Sequence, residues 1–209
     1  SQNLGAAVEL LLWNRNFAMT SLTLELKSAD IELNDKQFYR LCQANRDLRL
    51  ERTAEGRLII MPPTGWETGN RNFRIAQQLG NWADADGTGI GFDSSTGFRL
   101  PNGAVRSPDA AWVKRARLEA LNPKPEEFLP LCPDFVIELR SASDALPMLQ
   151  EKMREYLSNG LRFGWLIDPQ GRQVEIYRSD RAVEVVAAPM QLSAEPVLPG
   201  FSLDLTQIL

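Results

Sequence analysis

Two acidic side chains, Asp109 and Glu138, lie in stretches of the chain that are otherwise apolar. Glu138 falls within residues 134–140 (DFVIELR), and Asp109 directly precedes the sequence AAWV. Side chains alternate between the faces of a strand, so Glu138 and Arg140 are predicted to share one face. Asp is disfavoured in strands, and a buried carboxylate is costly unless it is paired or binds a metal. If the two strands are neighbours, the two carboxylates converge.

Converging carboxylates would favour a divalent metal between them, because two close acids otherwise repel each other. Such a metal lowers the pKa of a bound water and neutralises charge that builds on a phosphate. A nearby cation would orient the water or stabilise the transition state. Each acid also has a simpler interpretation. Glu138 could form a surface salt bridge with Arg140, and Asp109 could accept hydrogen bonds in a turn at the start of a strand.

The amino-acid composition excludes several classes of catalytic and metal site. The 209 residues include no histidine, which excludes Ser-His-Asp catalysis and His-based metal centres. Carboxylate oxygens favour Mg²⁺ or Mn²⁺ over zinc. Two distant cysteines, Cys42 and Cys132, argue against a disulfide scaffold and favour a cytoplasmic location. The net charge of −4 does not suggest extensive phosphate contacts, so a nucleic-acid enzyme would need a local basic patch.

The elements that must position these residues can be predicted from periodicity and turn signals. Asn34 caps a helix over residues 34–45. A second helix covers 66–83, and residues 48–51 and 57–61 form a hairpin across Ala54-Glu55-Gly56. Two further strands are predicted at 91–100 and 105–113, and residues 115–133 form a short helix and a proline-rich connection.

A strand, a helix and a strand follow over residues 134–140, 144–159 and 162–168, with Asp144 as the N-cap and Gly160 as the C-cap. This order implies a parallel pair of strands with a right-handed crossover. Residues 173–178 and 182–186 complete the chain as a hairpin. The sequence therefore predicts an α/β (α+β) fold with a mixed central β-sheet flanked by helices.

The chain divides into an N-terminal extension, residues 1–33, and one domain, residues 34–209. Met19 is a plausible native start, so residues 1–18 are interpreted as partly non-native or peripheral sequence. No apolar run is long enough to span a bilayer, and no membrane partner is expected.

The order of motifs resembles a known superfamily. Ser107-Pro108-Asp109 followed by Glu138-Leu139-Arg140 resembles the PD-(D/E)XK signature of restriction-endonuclease-like nucleases. The wider context, over roughly residues 34–209, resembles the Uma-two family of bacterial proteins within that superfamily. The stretches that carry this resemblance are MPPTGWETG (61–69), RSPDAAWV (106–113), PDFVIELRSASD (133–144), EKMREYLSNG (151–160), GWLIDP (164–169) and VLPGFSLDL (197–205).

The resemblance implies a restriction-endonuclease-like core and a Mg²⁺- or Mn²⁺-dependent endonuclease that acts on DNA. Asp109 and Glu138 would bind the metal, with the Leu139 carbonyl as a further ligand. Glu67 matches the position of an accessory acid, although an acid there also compensates the charge of a helix N-terminus.

The chain departs from the signature at its lysine, because position 140 is Arg, which stays protonated and can only clamp a phosphate. Lys152 in the following helix is a candidate replacement, since some members of the superfamily relocate the lysine there. Its simpler interpretation is a solvated helix residue.

Two alternative functions remain open on the sequence. Arg140 and the acidic net charge favour a catalytically degenerate binding or assembly module on a nuclease fold. The second alternative is a hydrolase of a small phosphodiester, because fold alone does not decide the substrate. By analogy with nucleases that pair to cut both strands, the resemblance is also compatible with a homodimer.

Overall fold

The computed structural model describes residues 21–124 and 127–209. Four α-helices are found there: α1 (Asp35–Ala44), α2 (Trp66–Asp86), α3 (Arg115–Leu121) and α4 (Leu146–Ser158). The strands are β1 (Leu22–Leu24), β2 (Arg49–Arg52), β3 (Leu58–Met61), β4 (Gly89–Asp93), β5 (Phe98–Arg99), β6 (Val105–Arg106), β7 (Ala110–Lys114), β8 (Phe135–Leu139), β9 (Phe163–Asp168), β10 (Gln173–Arg178), β11 (Arg181–Ala187), β12 (Gln191–Ser193) and β13 (Ser202–Asp204). The predicted α+β fold is therefore confirmed.

A six-stranded mixed sheet forms the centre of the molecule, in the order β11-β10-β9-β8-β7-β4. Only β8 and β9 run parallel within it, joined by α4, and the other neighbours are antiparallel. This confirms the parallel pair and the hairpin predicted after it.

The two faces of this sheet pack against different elements. On one face, Ile137 and Trp165 pack with Ile75 of α2 and with the C-terminal segment around Leu203. On the other face, Val136 packs with α4. Helix α4 lies close to the sheet at Gly164, where an added Cβ would lie 2.8 Å from Cε of Met153. Residues of β8 that point to this second face therefore meet α4.

A second sheet has five strands in the order β1-β3-β2-β6-β5. The predicted hairpin forms its centre, because β2 and β3 pair antiparallel. Phe38 of α1 packs on it, and Asn34 and Gln37 make reciprocal hydrogen bonds that cap α1 as predicted. Within the N-terminal extension, residues 22–24 add the edge strand β1 to this sheet. The predictions for residues 1–18 lie outside the described residues.

Two predicted strands are each wrong in one respect, because each is two strands in different sheets. The stretch 91–100 is interrupted after Asp93, whose carboxylate accepts hydrogen bonds from the amide and hydroxyl of Ser95. The stretch 105–113 is interrupted at Ser107-Pro108, since proline cannot donate to a ladder. The polar run Asp93 to Thr96 and the Ser107-Pro108 pair are turn signals inside these stretches, and they lie where the strands break. At Ser107-Pro108 the chain passes from the five-stranded to the six-stranded sheet, which places Asp109 between the two sheets.

The predicted N-cap of α4 is also wrong, whereas Gly160 ends the helix as predicted. Ala145 is the N-cap residue and makes no side-chain hydrogen bond, whereas Asp144 accepts hydrogen bonds from the amide and hydroxyl of Ser141 instead. Asn159 is the C-cap residue, and Gly160 follows it with a φ of +101°. None of the helices in the described ranges is long and apolar enough to cross a membrane.

Candidate active site

Asp109 and Glu138 face each other across neighbouring strands. Ala110 pairs with Ile137 in the antiparallel ladder of β7 and β8, so one further step of the same register sets Asp109 opposite Glu138. Both side chains point to the α4 face and are nearly buried, with exposed fractions of 8% and 3%. The amide of Leu139 also donates a hydrogen bond of 2.9 Å to Oδ2 of Asp109. The expected convergence of the two carboxylates is confirmed.

Lys152 reaches this pair of acids from helix α4. Its Nζ lies 2.9 Å from Oε1 of Glu138 and 2.8 Å from Oε1 of Glu51, and its side chain is 11% exposed. The interpretation of Lys152 as a solvated helix residue is therefore wrong. One turn further along α4, the hydroxyl of Tyr156 donates a hydrogen bond of 2.9 Å to the same Oε1 of Glu138.

Glu51, in the centre of β2, is a site residue that the sequence analysis missed. Its Oε1 accepts from Lys152 and from the amide of Ser107 at 3.0 Å, and its Oε2 lies 3.1 Å from Arg106. Arg106 in turn contacts Glu155 of α4 at 2.6 Å. An acid in a strand is a weak signal of a functional residue, as for Asp109, but Arg49 and Arg52 beside it made β2 resemble a solvated strand.

Polar groups around the second oxygen of Asp109 are only partly satisfied. Oδ1 lies 3.6 Å from Nη1 of Arg49 and accepts a long hydrogen bond of 3.4 Å from Nδ2 of Asn72. Oδ1 of Asn72 and Nε of Arg49 are buried without a hydrogen-bond partner among the described residues. Buried polar atoms are seldom left in this state, so these groups are available to a ligand or to water.

The electrostatics of the site follow from burial and from the position of Lys152. Burial, followed by repulsion from Asp109 and Glu51, raises the pKa of Glu138 to about 7 despite the attraction of Lys152. Burial also raises the pKa of Asp109. Burial alone would raise the pKa of Glu51, but Lys152 and Arg106 hold it well below the usual range. Burial disfavours the charged form of Lys152, yet Glu138 and Glu51 outweigh it and raise its pKa, so the ammonium group stays protonated.

The four groups open onto a cavity of about 950 Å³ between the two sheets and α4. Glu67 lines this cavity from the first turn of α2, where its 62% exposed side chain contacts Arg71 at 3.0 Å. Leu139 also lines it, while its side chain belongs to the core of the central sheet. The structure thus brings Asp109, Glu138, Lys152 and Leu139 together and leaves Glu67 on the wall of the same cavity.

Arg140 does not join this group. Its Nη1 lies 3.1 Å from both carboxylate oxygens of Asp168, at the end of β9, and its Nε donates to the carbonyl of Asp144. The alternative interpretation of Glu138, a surface salt bridge with Arg140, is therefore wrong, because the chain leaves the strand after Leu139. Arg140 is not among the residues that line the cavity, and its contacts hold the turn that follows β8.

The donor set fits a hydrated divalent cation. No cluster of three or more His, Cys, Asp or Glu side chains suited to a metal is found in the described ranges. Two opposed carboxylates are nevertheless sufficient for Mg²⁺, which usually keeps several waters and uses one or two protein carboxylates. The partnerless Oδ1 of Asn72 would accept a hydrogen bond from such a water. Asp109 and Glu138 are the residues that would hold the ion.

Comparison with known proteins agrees with the fold. The crystal structure of a "putative nuclease belonging to DUF820" from Anabaena variabilis ATCC 29413 superposes with a TM-score of 0.64. It is 18% identical and covers 76% of this chain and 88% of its own, which shows a common fold. No curated protein matches the chain. The model of the family Uma2, described as "Putative restriction endonuclease", matches residues 35–206. Since that match spans most of the sequence, the chain belongs to the Uma2 family of restriction-endonuclease-like proteins.

Proposed function

We propose that this chain is a metal-dependent endonuclease that hydrolyses phosphodiester bonds in DNA. The observation that carries the proposal is the register that sets Asp109 opposite Glu138, with the cationic Lys152 against Glu138. Two buried acids and one buried cation at the base of an open cavity are expensive to maintain without a function. Membership of a family described as restriction endonucleases supports phosphodiester cleavage.

Asp109 and Glu138 would hold Mg²⁺ or Mn²⁺ in this reaction. When bound, the metal supplies charge neutralisation at the phosphate and activation of the attacking water. The Leu139 amide orients Asp109 through its hydrogen bond to Oδ2, and Tyr156 orients Glu138 through Oε1. Both carboxylates are thus held in place before substrate arrives, which lowers the reorganisation that catalysis requires.

Lys152 would contact the substrate phosphate. An ammonium group has three N–H donors, and two of them are directed at Glu51 and Glu138, so one remains for a phosphate oxygen. Glu138 and Glu51 raise the pKa of Lys152, which favours the charged form of its ammonium group. Lys152 would therefore act as a positive charge that stabilises the transition state, the task that the lysine of the PD-(D/E)XK signature would otherwise have at position 140.

Cleavage of plasmid DNA by the parent and by Asp109→Asn and Glu138→Gln tests the proposal. We expect nicking or linearisation by the parent in Mg²⁺ or Mn²⁺, none in EDTA, and loss of cleavage in both variants. Asp180→Asn is the matched control, because this acid lies on the exposed turn between β10 and β11. Thermal unfolding confirms that each variant is folded.

Calorimetric titration with Mn²⁺ separates this proposal from a degenerate binding module. The parent should bind Mn²⁺, and the two active-site variants should bind it more weakly. Equal cleavage by the parent and both variants would contradict the assignment of the site. Absence of Mn²⁺ binding and of cleavage by a folded parent would contradict the nuclease and favour the module.

A further inference from the structure

Two exposed aromatic rings flank the candidate active site. Trp66 and Phe73 are 85% and 63% exposed, and both belong to helix α2. Trp66 lines the main cavity, while Phe73 lines an adjoining one, and both cavities reach Asp109. Single exposed apolar side chains are common on protein surfaces, but two aromatic rings beside cavities that share Asp109 are candidate contacts for a ligand.

The spacing of the two rings suits bases rather than a single flat ligand. They are seven residues apart on α2 and therefore point to the same side of the helix. At 1.5 Å per residue they lie about 10 Å apart along its axis. Stacked bases follow one another at about 3.4 Å along a strand. The two rings would thus contact different bases of a strand whose stack is opened between them.

The charges of the main cavity argue against recognition through phosphates alone. Eight acidic and only four basic side chains line it. Each of the four basic groups already has a carboxylate within 4.0 Å: Arg49 contacts Asp109, Arg57 contacts Glu55, Arg106 contacts Glu51 and Glu155, and Lys152 contacts Glu51 and Glu138. Duplex DNA is bound mainly through its phosphates by free basic side chains. This cavity offers few of them.

We propose that the site takes single-stranded or locally unpaired DNA, whose bases stack on Trp66 and Phe73 while the phosphate between them reaches Asp109 and Glu138. This inference rests on the proposed nuclease function and names the form of its substrate. Stacking of bases on aromatic side chains adds binding free energy that does not come from phosphate contacts, and it is largely independent of sequence. Bases in an intact duplex are paired and stacked on each other, so their faces are not accessible to the two rings.

Binding of a short fluorescein-labelled DNA strand, alone or annealed to its complement, tests this inference. Fluorescence anisotropy is measured with the full chain in Ca²⁺, so that cleavage is not required for the signal. We expect the single strand to bind more tightly than the duplex. Trp66→Ala and Phe73→Ala should each weaken single-strand binding about tenfold, while Trp66→Phe retains most of it.

The control is Met190→Ala, because Met190 is 69% exposed and lies outside both cavities. Duplex binding as tight as single-strand binding would overturn the inference, as would Trp66→Ala and Phe73→Ala proteins that bind like Met190→Ala. Cleavage in Mg²⁺ is measured separately on the same samples. Cleavage without a single-strand preference overturns only this inference, whereas a folded protein that binds DNA but never cleaves it overturns the proposed function.

Discussion

The Nζ atom of Lys152 lies 2.9 Å from Oε1 of Glu138, although the first residue belongs to helix α4 and the second to strand β8. The contact crosses the interface where α4 packs on the central sheet. Consequently, a cation lies beside Glu138 even though position 140 carries an arginine that contacts Asp168 instead. Helix α4, and not strand β8, supplies the basic side chain that contacts Glu138.

Lys152→Ala should abolish most cleavage, while Arg140→Ala should retain it. The first change removes the only basic side chain that touches Glu138 within the described part of the chain, and loss of such a stabilising charge typically costs about 10²–10³ in rate. The second removes a partner of Asp168 outside the cavity and should lower the free energy of unfolding by about 2 kcal/mol. Initial rates on plasmid DNA and chemical denaturation of both variants measure this contrast. A larger loss of rate in Arg140→Ala than in Lys152→Ala would reverse the assignment.

Glu51→Gln should lower kcat about 10- to 100-fold with little change in KM, because Glu51 positions Lys152 and Arg106 without contacting the metal. A neutral amide would hold the ammonium group less firmly. Steady-state kinetics on a labelled oligonucleotide give the two constants. Glu25→Gln is the matched control, since Glu25 is an exposed acid next to β1 of the same sheet and does not line the cavity. An unchanged kcat in folded Glu51→Gln would show that Lys152 needs no support from β2.

Tyr156→Phe should weaken Mn²⁺ binding about tenfold, because it removes the hydrogen bond that orients Glu138. The matched control is Tyr177→Phe, in which a similarly buried hydroxyl loses its bond to Glu175 away from the cavity. Each variant should lose about 1 kcal/mol of stability. Calorimetric titration then distinguishes an effect on the metal from an effect on the fold. Equal Mn²⁺ affinity in the two variants would exclude the orienting role of Tyr156.

Glu138→Gln should make the metal-free protein less sensitive to rising pH. In the folded parent, burial raises the pKa of Glu138 from 4.5 to about 7, so the folded state binds this proton more tightly than the unfolded state. The protonated Glu138 side chain therefore stabilises the folded state. This stabilisation is complete below pH 4.5 and is lost as the pH rises through 7. Glutamine cannot ionise and shows no such loss.

Thermal unfolding in EDTA across this range measures the difference. Between pH 4.5 and pH 7 the parent should lose more stability than Glu138→Gln, and Asp180→Asn should behave like the parent. Mn²⁺ should remove most of the loss, since a metal favours the ionised carboxylate. Parallel pH profiles of the parent and Glu138→Gln in EDTA would contradict a raised pKa for this group.

The breaks in two predicted strands coincide with turn residues, whereas the sheet that each part joins is not marked in the sequence. The run Asp93 to Gly97 and the pair Ser107-Pro108 interrupt residues 91–100 and 105–113, but no local pattern shows that the chain passes there from one sheet to the other. Asp144 has the residue type of an N-cap, but its carboxylate is used by Ser141 in a turn. The preference of a residue type for a cap position is weak, so a competing hydrogen bond in a nearby turn is enough to override it.

What the sequence alone determined is the identity of the acids and the elements that carry them. Asp109 and Glu138 stood out because a carboxylate in an apolar strand is costly, and the strand–helix–strand pattern predicted the parallel pair that α4 connects. Only the tertiary structure decided which cation meets them. Arg140 and Lys152 were both candidates by position, and Glu51 belongs to another sheet altogether. Contacts between residues as distant in the chain as Glu51 and Lys152 depend on how the sheets and α4 pack, and no local pattern of side chains encodes that arrangement.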